Sequence, residues 1–289
     1  MTIPPDIAAV RDRLIAATAN LKARFLEGRR RDDGSRRRPD RLAATRRPVS
    51  SVPVALADEL AGLPAPARRW LEQVLTDGQP RIQAVTVRHA GRFNTSEEGQ
   101  RWRRFRSEQH VVIEHPGFHW DARIAYMPGL AVHVHDAYIG GRGLLRAVIG
   151  GLVKVVDLEG GGELARGELM RWAAEAAWYP TALLPGGHVQ WSAIDGDAAG
   201  LTATDGPNQV DLTVRFDARG LIHSVRADDR PRLVRGEPVP TPWQGRFWNY
   251  RTIDGMRDPL DAEAAWLLPG GPQPYWRGHI ETIDYEFTR

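Results

Sequence analysis

Apolar and polar positions alternate along much of the chain. Phe118, Trp120, Ala122, Ile124 and Tyr126 interleave with His119, Asp121, Arg123 and Ala125, and Val210, Leu212, Val214 and Phe216 with Asp211, Thr213 and Arg215. A period of two is that of a strand with one buried face. Similar segments recur at 81–93, 102–114, 130–139, 187–194, 199–204, 219–226, 243–253, 261–267 and 275–287. Asp195-Gly196-Asp197, Asp205-Gly206-Pro207-Asn208 and Asp217-Ala218-Arg219-Gly220 lie between such segments and are short enough to close hairpins. Strands joined in this way form an antiparallel sheet, because a parallel one needs a crossover helix between most strands. Some ten strands, each adding roughly 20–25° of twist, curl such a sheet into a half-barrel or open barrel.

The pattern changes period over Glu163 to Tyr179, which Pro180 closes. At helical spacing Leu169, Trp172, Ala173 and Ala176 form one stripe, and Glu168, Arg171, Glu175 and Trp178 the stripe beside it. This is the one good helix within the strand-rich region, and it is expected to cover the concave side of the sheet. Ala55 to Leu75 reads as a further short helix. Ile7, Val10, Leu14, Ala17, Leu21 and Phe25 predict an amphipathic helix over 6–27, stopped at Gly28. The Arg-rich run that follows has nothing apolar to bury, which places a linker at 28–52. The expected fold is α+β: a basic arm over 1–52, then a single domain over 53–289 with helix 163–179 against a large curled antiparallel sheet.

Charge sharpens that division. Residues 1–47 hold 13 basic and 6 acidic side chains, and the remaining 26 basic and 30 acidic leave a mildly acidic body. The arm has one aromatic residue, Phe25, and no helix-turn-helix, zinc or RNP signature follows it, so no specific nucleic-acid partner is expected. Weak contact of residues 1–47 with an anionic surface is the remaining partner expectation for the arm. The apolar run Leu144 to Val156 is interrupted by Arg146, Gly150, Gly151 and Lys154, so no membrane-spanning helix is expected. The N-terminus lacks a secretory pattern, and the default location is cytoplasmic. Absence of Cys among 289 residues removes disulfides, thiol nucleophiles and Cys-ligated metals. There is no Gly-x-Gly-x-x-Gly, P-loop or Gly-x-Ser-x-Gly, and no cofactor is expected.

Two constellations carry candidate chemistry. Along the helix, Arg171 pairs with Glu168 and Glu175 at i−3 and i+4. Such pairs are solvated surface contacts if the row faces water, and an acid/base or polar anchor if it faces the concavity. The second constellation runs through Glu108-Gln109, Phe118 to Arg123 and His133-Val134-His135-Asp136-Ala137-Tyr138. His133 and His135 share a strand face with His115 and His119 nearby, but no carboxylate spacing completes a metal pattern and no metal is expected. Ten Trp fill a wide core or line a cavity.

These residues carry a resemblance. Ser107-Glu108-Gln109, Pro116 to Arg123, Asp136-Ala137-Tyr138, Leu169 to Glu175 and Trp178 to Leu184, with Thr241-Pro242-Trp243 and Pro274 to Gly278, resemble a widespread bacterial family catalogued as a domain of unknown function. The resemblance covers about 65–288, and its most specific string is Arg-x-x-x-Glu-x-x-Trp-x-Pro-Thr. It implies a strand-rich plan similar to the half-barrels of bacterial lipoprotein carriers, and no activity. The leading expectation is a protein binding a small apolar or lipid-like molecule between sheet and helix. Trp120, Trp172 and Trp178 then line the cavity, with Glu108, Arg123, Arg171 and Glu175 at a polar head. The alternatives are an enzyme on such a ligand, with Glu175 or Asp136 as base and Tyr138 or His135 as acid, and a module working through its basic arm.

Overall fold

A computed structural model describes residues 53–288 apart from 97, 98, 187 and 235. The helix expected over 6–27 and the linker over 28–52 lie outside the described residues. The strands come in two runs. The first holds β1 (Ile82–Asn94), β2 (Trp102–Val112), β3 (Gly117–Met127), β4 (Leu130–Ile139), β5 (Arg142–Ile149) and β6 (Val153–Gly160). The second holds β7 (Val189–Ala193), β8 (Ala198–Asp205), β9 (Asn208–Phe216), β10 (Ile222–Val234), β11 (Glu237–Ile253), β12 (Met256–Leu268) and β13 (Gly271–Phe287). All thirteen form one sheet in the order β6-β5-β4-β3-β2-β1-β13-β12-β11-β10-β9-β8-β7. Each run is a meander, and antiparallel pairing of β1 with β13 joins them at the middle of the sheet.

The alternating segments are strands as expected, and the three Asp/Gly turns close the β7–β8, β8–β9 and β9–β10 hairpins. Two strands exceed the expectation. The interrupted run from Leu144 to Val156 lies in β5 and β6, whose residues are mostly half-exposed, so neither strand has the alternation of a strand with one dry face. Gly140 and Gly141, with φ of 58° and 77°, form the β4–β5 turn, where both central residues need the left-handed region. The helix expected over 55–75 is two pieces, α1 (Leu56–Glu59) and α2 (Ala65–Val74). Pro64 forces extended backbone before it, and Pro66 is tolerated only in a first turn.

The main helix α3 (Gly162–Glu175) connects the two meanders. It touches β3, β4 and β5 on one flank of the sheet and β8, β9, β10 and β11 on the other. Nine steps in the strand order separate β5 from β9, roughly 43 Å in a flat sheet at about 4.8 Å per strand. A helix with its side chains is only about 10–12 Å across. The sheet therefore curls around α3, and the two flanks meet beyond it. Tyr138 Oη on β4 donates to Asp205 Oδ2 on β8 at 2.8 Å, and Asn208 Nδ2 on β9 donates to Tyr138 Oη and to the Gly141 carbonyl, each at 3.0 Å. No strand ladder closes this seam among the described residues, since β6 and β7 are the edges of the sheet.

After Glu175 the chain leaves the α-helix as two 3-10 turns, Ala176–Trp178 and Pro180–Leu183, and stays buried through Leu184. Buried irregular backbone must find partners outside itself. Tyr285 Oη donates to the Trp178 carbonyl at 2.8 Å, Trp191 Nε1 to the Leu183 carbonyl at 2.9 Å, and the Ile82 amide to Thr181 Oγ1 at 3.0 Å. Trp178 Nε1 donates to the Pro259 carbonyl at 2.8 Å, and Tyr179 Oη to the Trp172 carbonyl at 2.6 Å. Trp120, Trp172, Trp178, Phe105, Leu169 and Met170 belong to one continuous core. The cavity expected between sheet and helix is thus occupied by side chains.

Two predictions follow from this packing. Tyr138→Phe removes both seam bonds to the hydroxyl, and the urea midpoint should fall by the equivalent of about 1–2 kcal/mol. Amide exchange at the β4 and β8 ends should accelerate, and an unchanged midpoint would refute the seam. Asp258 on β12 is fully buried with neither carboxyl oxygen hydrogen-bonded, and the single proton of its neighbour Tyr285 goes to Trp178. Burial, reinforced by Asp254 and opposed by Tyr285, pushes its carboxyl up to about 8. The folded state then holds a proton that the unfolded state releases near pH 4. The stability from this group is complete below about pH 4 and is lost as pH rises through 8. Relative to Asp258→Asn, the native protein should lose on the order of a few kcal/mol between pH 5 and pH 9 in urea unfolding. A gap that stays constant or widens the other way rejects the assignment.

Candidate buried charge site

The Glu168-Arg171-Glu175 row of α3, continued by Trp178 in the 3-10 turn, faces the sheet and not solvent. Its floor is set by strand register, because Gln109, Trp120 and Asp136 stand directly opposite one another across β2, β3 and β4. Alternation turns all three toward the helix, and Arg171 lies over them. Its Nη1 donates to Asp136 Oδ2 at 2.6 Å, its Nη2 to Gln109 Oε1 at 3.0 Å and its Nε to Glu175 Oε1 at 2.8 Å. Gln109 Nε2 completes the ring by donating to Glu175 Oε2 at 2.6 Å. The guanidinium plane lies 4.7 Å from the centroid of Phe118 and 4.9 Å from that of Trp120. Glu175 and Asp136 hold the Arg171 charge in place against the cost of burial.

Glu168 behaves differently. Burial first, and then the neighbouring Asp136 charge, push its carboxyl well above the usual range, against the pull of Arg230 and Arg171. Asp136 Oδ1 and Glu168 Oε2 have no donor among the described residues. The neutral acid is therefore favoured at Glu168, beside the Asp136 carboxyl. Arg230 reaches the cluster from β10, its guanidinium 5.0 Å above Trp243, whose Nε1 donates to Tyr275 Oη at 3.0 Å. The unmatched buried atoms near the cluster include two donors, Trp120 Nε1 and Arg230 Nη1, and the ring nitrogen His89 Nε2, whose imidazole is kept neutral by burial and by the Arg171 charge. Two guanidinium charges face three carboxyls, Asp136, Glu168 and Glu175, of which Glu168 favours its neutral form, so the cluster is close to neutral and has no excess negative charge to hold a cation.

The expected site residues divide three ways. Trp120, Asp136, Arg171 and Glu175 come together, with Trp172 and Trp178 in the core on the same side of the sheet. Each oxygen of Glu175 accepts one hydrogen bond, from Arg171 and from Gln109, so the side chain anchors the ring. Glu108 and Arg123 lie on the opposite face, because alternation sends the neighbours of Gln109 and Trp120 outward. Glu108 there accepts from Arg88 Nε at 2.6 Å and meets His110 Nε2 at 3.0 Å. Arg88 holds its carboxyl below the usual range. Both line a groove of about 330 Å³ with Asp121, His133 and His135. Tyr138 is in the seam, and its hydroxyl titration is pushed up by burial and by Asp205.

Gln109, Phe118, Arg230 and Tyr275 complete the site without having been assigned to it from sequence. The first two were available from alternation, since Phe105 and Val111 fix the inward positions of β2 and Trp120 those of β3. Arg230 follows a register shift between Ala227 and Arg230 in the β10–β11 ladder, and no alternating pattern passes through it.

The cluster predicts an asymmetric mutational response. Arg171→Met leaves Asp136 and Glu175 buried without their cation and should cost about 3–5 kcal/mol in urea unfolding. Adding Asp136→Asn and Glu175→Gln should restore most of that loss. A single variant as stable as the parent would show that the row is solvated.

No helix among the described residues is long and apolar enough to cross a membrane. No curated protein matches the chain. Among solved structures, a LolA superfamily protein from Nitrosomonas europaea aligns at 13% identity with a TM-score of 0.28, over 82% of this chain and 94% of that one. A beta-barrel-like protein of domain of unknown function DUF1849 from Brucella abortus aligns at 10% identity with a TM-score of 0.23, over 72% of this chain and 99% of that one. Residues 61–285, which hold the whole sheet but its last strand end together with α3 and its charged row, match the Family of unknown function (DUF6920), and the chain belongs to that family.

Proposed function

We propose that this is a binding protein for an amphipathic, lipid-like molecule taken up between the curled sheet and α3, with its polar head at the Arg171 cluster. The observation that carries the reading is the pair of buried donors without acceptors, Trp120 Nε1 and Arg230 Nη1, beside the charged ring. Native interiors rarely leave such groups unmatched, and each unmatched N–H costs about 1–3 kcal/mol. A ligand oxygen recovers that cost, so the head is an acceptor such as an ester, carboxylate or phosphate. The aromatic wall of Phe105, Trp178 and Trp276 supports an apolar tail, and its rings lie 5.7 to 6.5 Å apart. Because these side chains fill the space, binding requires them to repack around the tail.

The Asp136–Glu168 pair favours one second reading, in which the same ligand is a substrate and the neutral Glu168 carboxyl serves as its acid. Glu168→Gln would then abolish turnover while leaving binding in place.

Native mass spectrometry of the purified protein, followed by denaturing extraction, tests the leading reading. A stoichiometric amphiphile should be recovered, and a single-chain fatty acid or monoacylglycerol added to the protein should bind saturably. Trp120→Phe together with Arg230→Met should weaken that binding about tenfold, the equivalent of one lost hydrogen bond to a charged group. An empty protein that takes up neither probe rules the reading out.

A further inference from the structure

On the face of β3 and β4 turned away from α3, three side chains converge that the interior site does not use. His119 and Asp121 are two residues apart on β3 and so share that face, while His135 on β4 stands directly opposite Asp121. His119 Nδ1 is 3.3 Å from Asp121 Oδ2, and His135 Nδ1 is in direct contact with Asp121 Oδ1. The two imidazoles stack with centroids 6.1 Å apart and planes 18° from parallel. One ligand atom from each of the three lies within 4.8 Å of the other two. All three side chains are a little under half exposed, open to solvent and yet held by the ladder.

We propose that His119, Asp121 and His135 form a binding site for one transition-metal dication of the zinc type. Two imidazole nitrogens and one carboxylate are the donor set that such ions take, and that calcium and magnesium, which prefer oxygen, do not. Zinc bonds of about 2.0–2.1 Å at tetrahedral angles place neighbouring donor atoms about 3.3 Å apart. The His119–Asp121 separation already matches this, and small side-chain rotations bring the close His135–Asp121 contact and the His119–His135 separation to the same spacing. Each imidazole binds through a ring nitrogen that presents a lone pair: a neutral ring offers one after tautomerising, and a doubly protonated ring first gives one proton to solvent. Three protein ligands leave the fourth position to water or to a ligand from solution, as in open metal sites. Asp121 and His135 also line a groove whose Arg88 and Arg106 pair with Glu108 and Glu281, which leaves water as the simplest fourth partner.

The strand pairing makes the arrangement specific. His133 lies on the same face but pairs with Arg123, one step along the ladder, and is not in the group. His110 on β2 is directed to Glu108 and Thr86. Both serve as internal controls.

The test is titration of the untagged full chain with zinc chloride by calorimetry, with cobalt(II) absorption as a second readout. One equivalent of zinc should bind, and calcium and magnesium should not compete. His119→Ala, His135→Ala and Asp121→Asn should each weaken zinc binding about tenfold or more. His133→Ala and His110→Ala should leave it unchanged. All five positions are at least partly exposed, and unchanged thermal melts confirm that each variant folds. The proposal is overturned if zinc does not bind at one equivalent, or if any of the three ligand variants binds as the parent does. Because the site is on the far face of the sheet from Arg171, neither outcome bears on the amphiphile reading.

Discussion

A guanidinium cannot be left uncompensated in a protein interior, and Arg171 is compensated from three directions at once. Asp136 and Gln109 come from the sheet and Glu175 from the next turn of its own helix. This demand fixes the rotation of α3 about its axis, because only one rotation places Nη1 on β4 and Nη2 on β2 together. It also fixes the depth of the helix, since Phe118 and Trp120 lie under the guanidinium plane. Glu168, one turn earlier, interacts with both Asp136 on the first meander and Arg230 on the second. The charged row thus ties the two flanks of the sheet to the one element that touches both.

The sheet separates two chemistries by alternation alone. Gln109, Trp120 and Asp136 point inward to a dry, nearly neutral cluster, while their neighbours Glu108, Asp121 and His135 point outward to a wet groove. A shift of one residue in β3 would exchange Trp120 with Asp121, so the register that holds the core also keeps the polar sites apart.

Much of this was legible in the sequence, and for physical reasons. The alternation around Trp120 marks β3, the Asp/Gly turns mark three hairpins, and the two stripes of α3 mark a helix with more than one buried face. The Arg-x-x-x-Glu-x-x-Trp-x-Pro-Thr string joins two roles that the structure separates. Arg171 and Glu175 belong to the charge cluster, whereas Trp178, Pro180 and Thr181 lie in the buried irregular segment. What was not legible depends on pairing between strands. That Asp121 meets His135, that Tyr138 reaches β8, and that Arg230 enters the interior after a register shift are facts of the ladder, which spacing along the chain does not encode. β5 and β6 escaped because strands exposed on both faces lose their period.

The strand order also governs how the chain can assemble. Every ladder but one joins strands that follow each other in sequence, so each meander can grow by local steps. The exception is β1 with β13, where Ile82 meets Phe287 across nearly the whole described chain. Closing a loop of that length carries an entropic cost that no neighbouring hairpin defrays. The centre of the finished sheet is thus the part whose pairing costs the most chain entropy, and the ends of the described chain emerge near one another. Joining those ends and cutting new ones at the β6–α3 connection would make that pairing a local one.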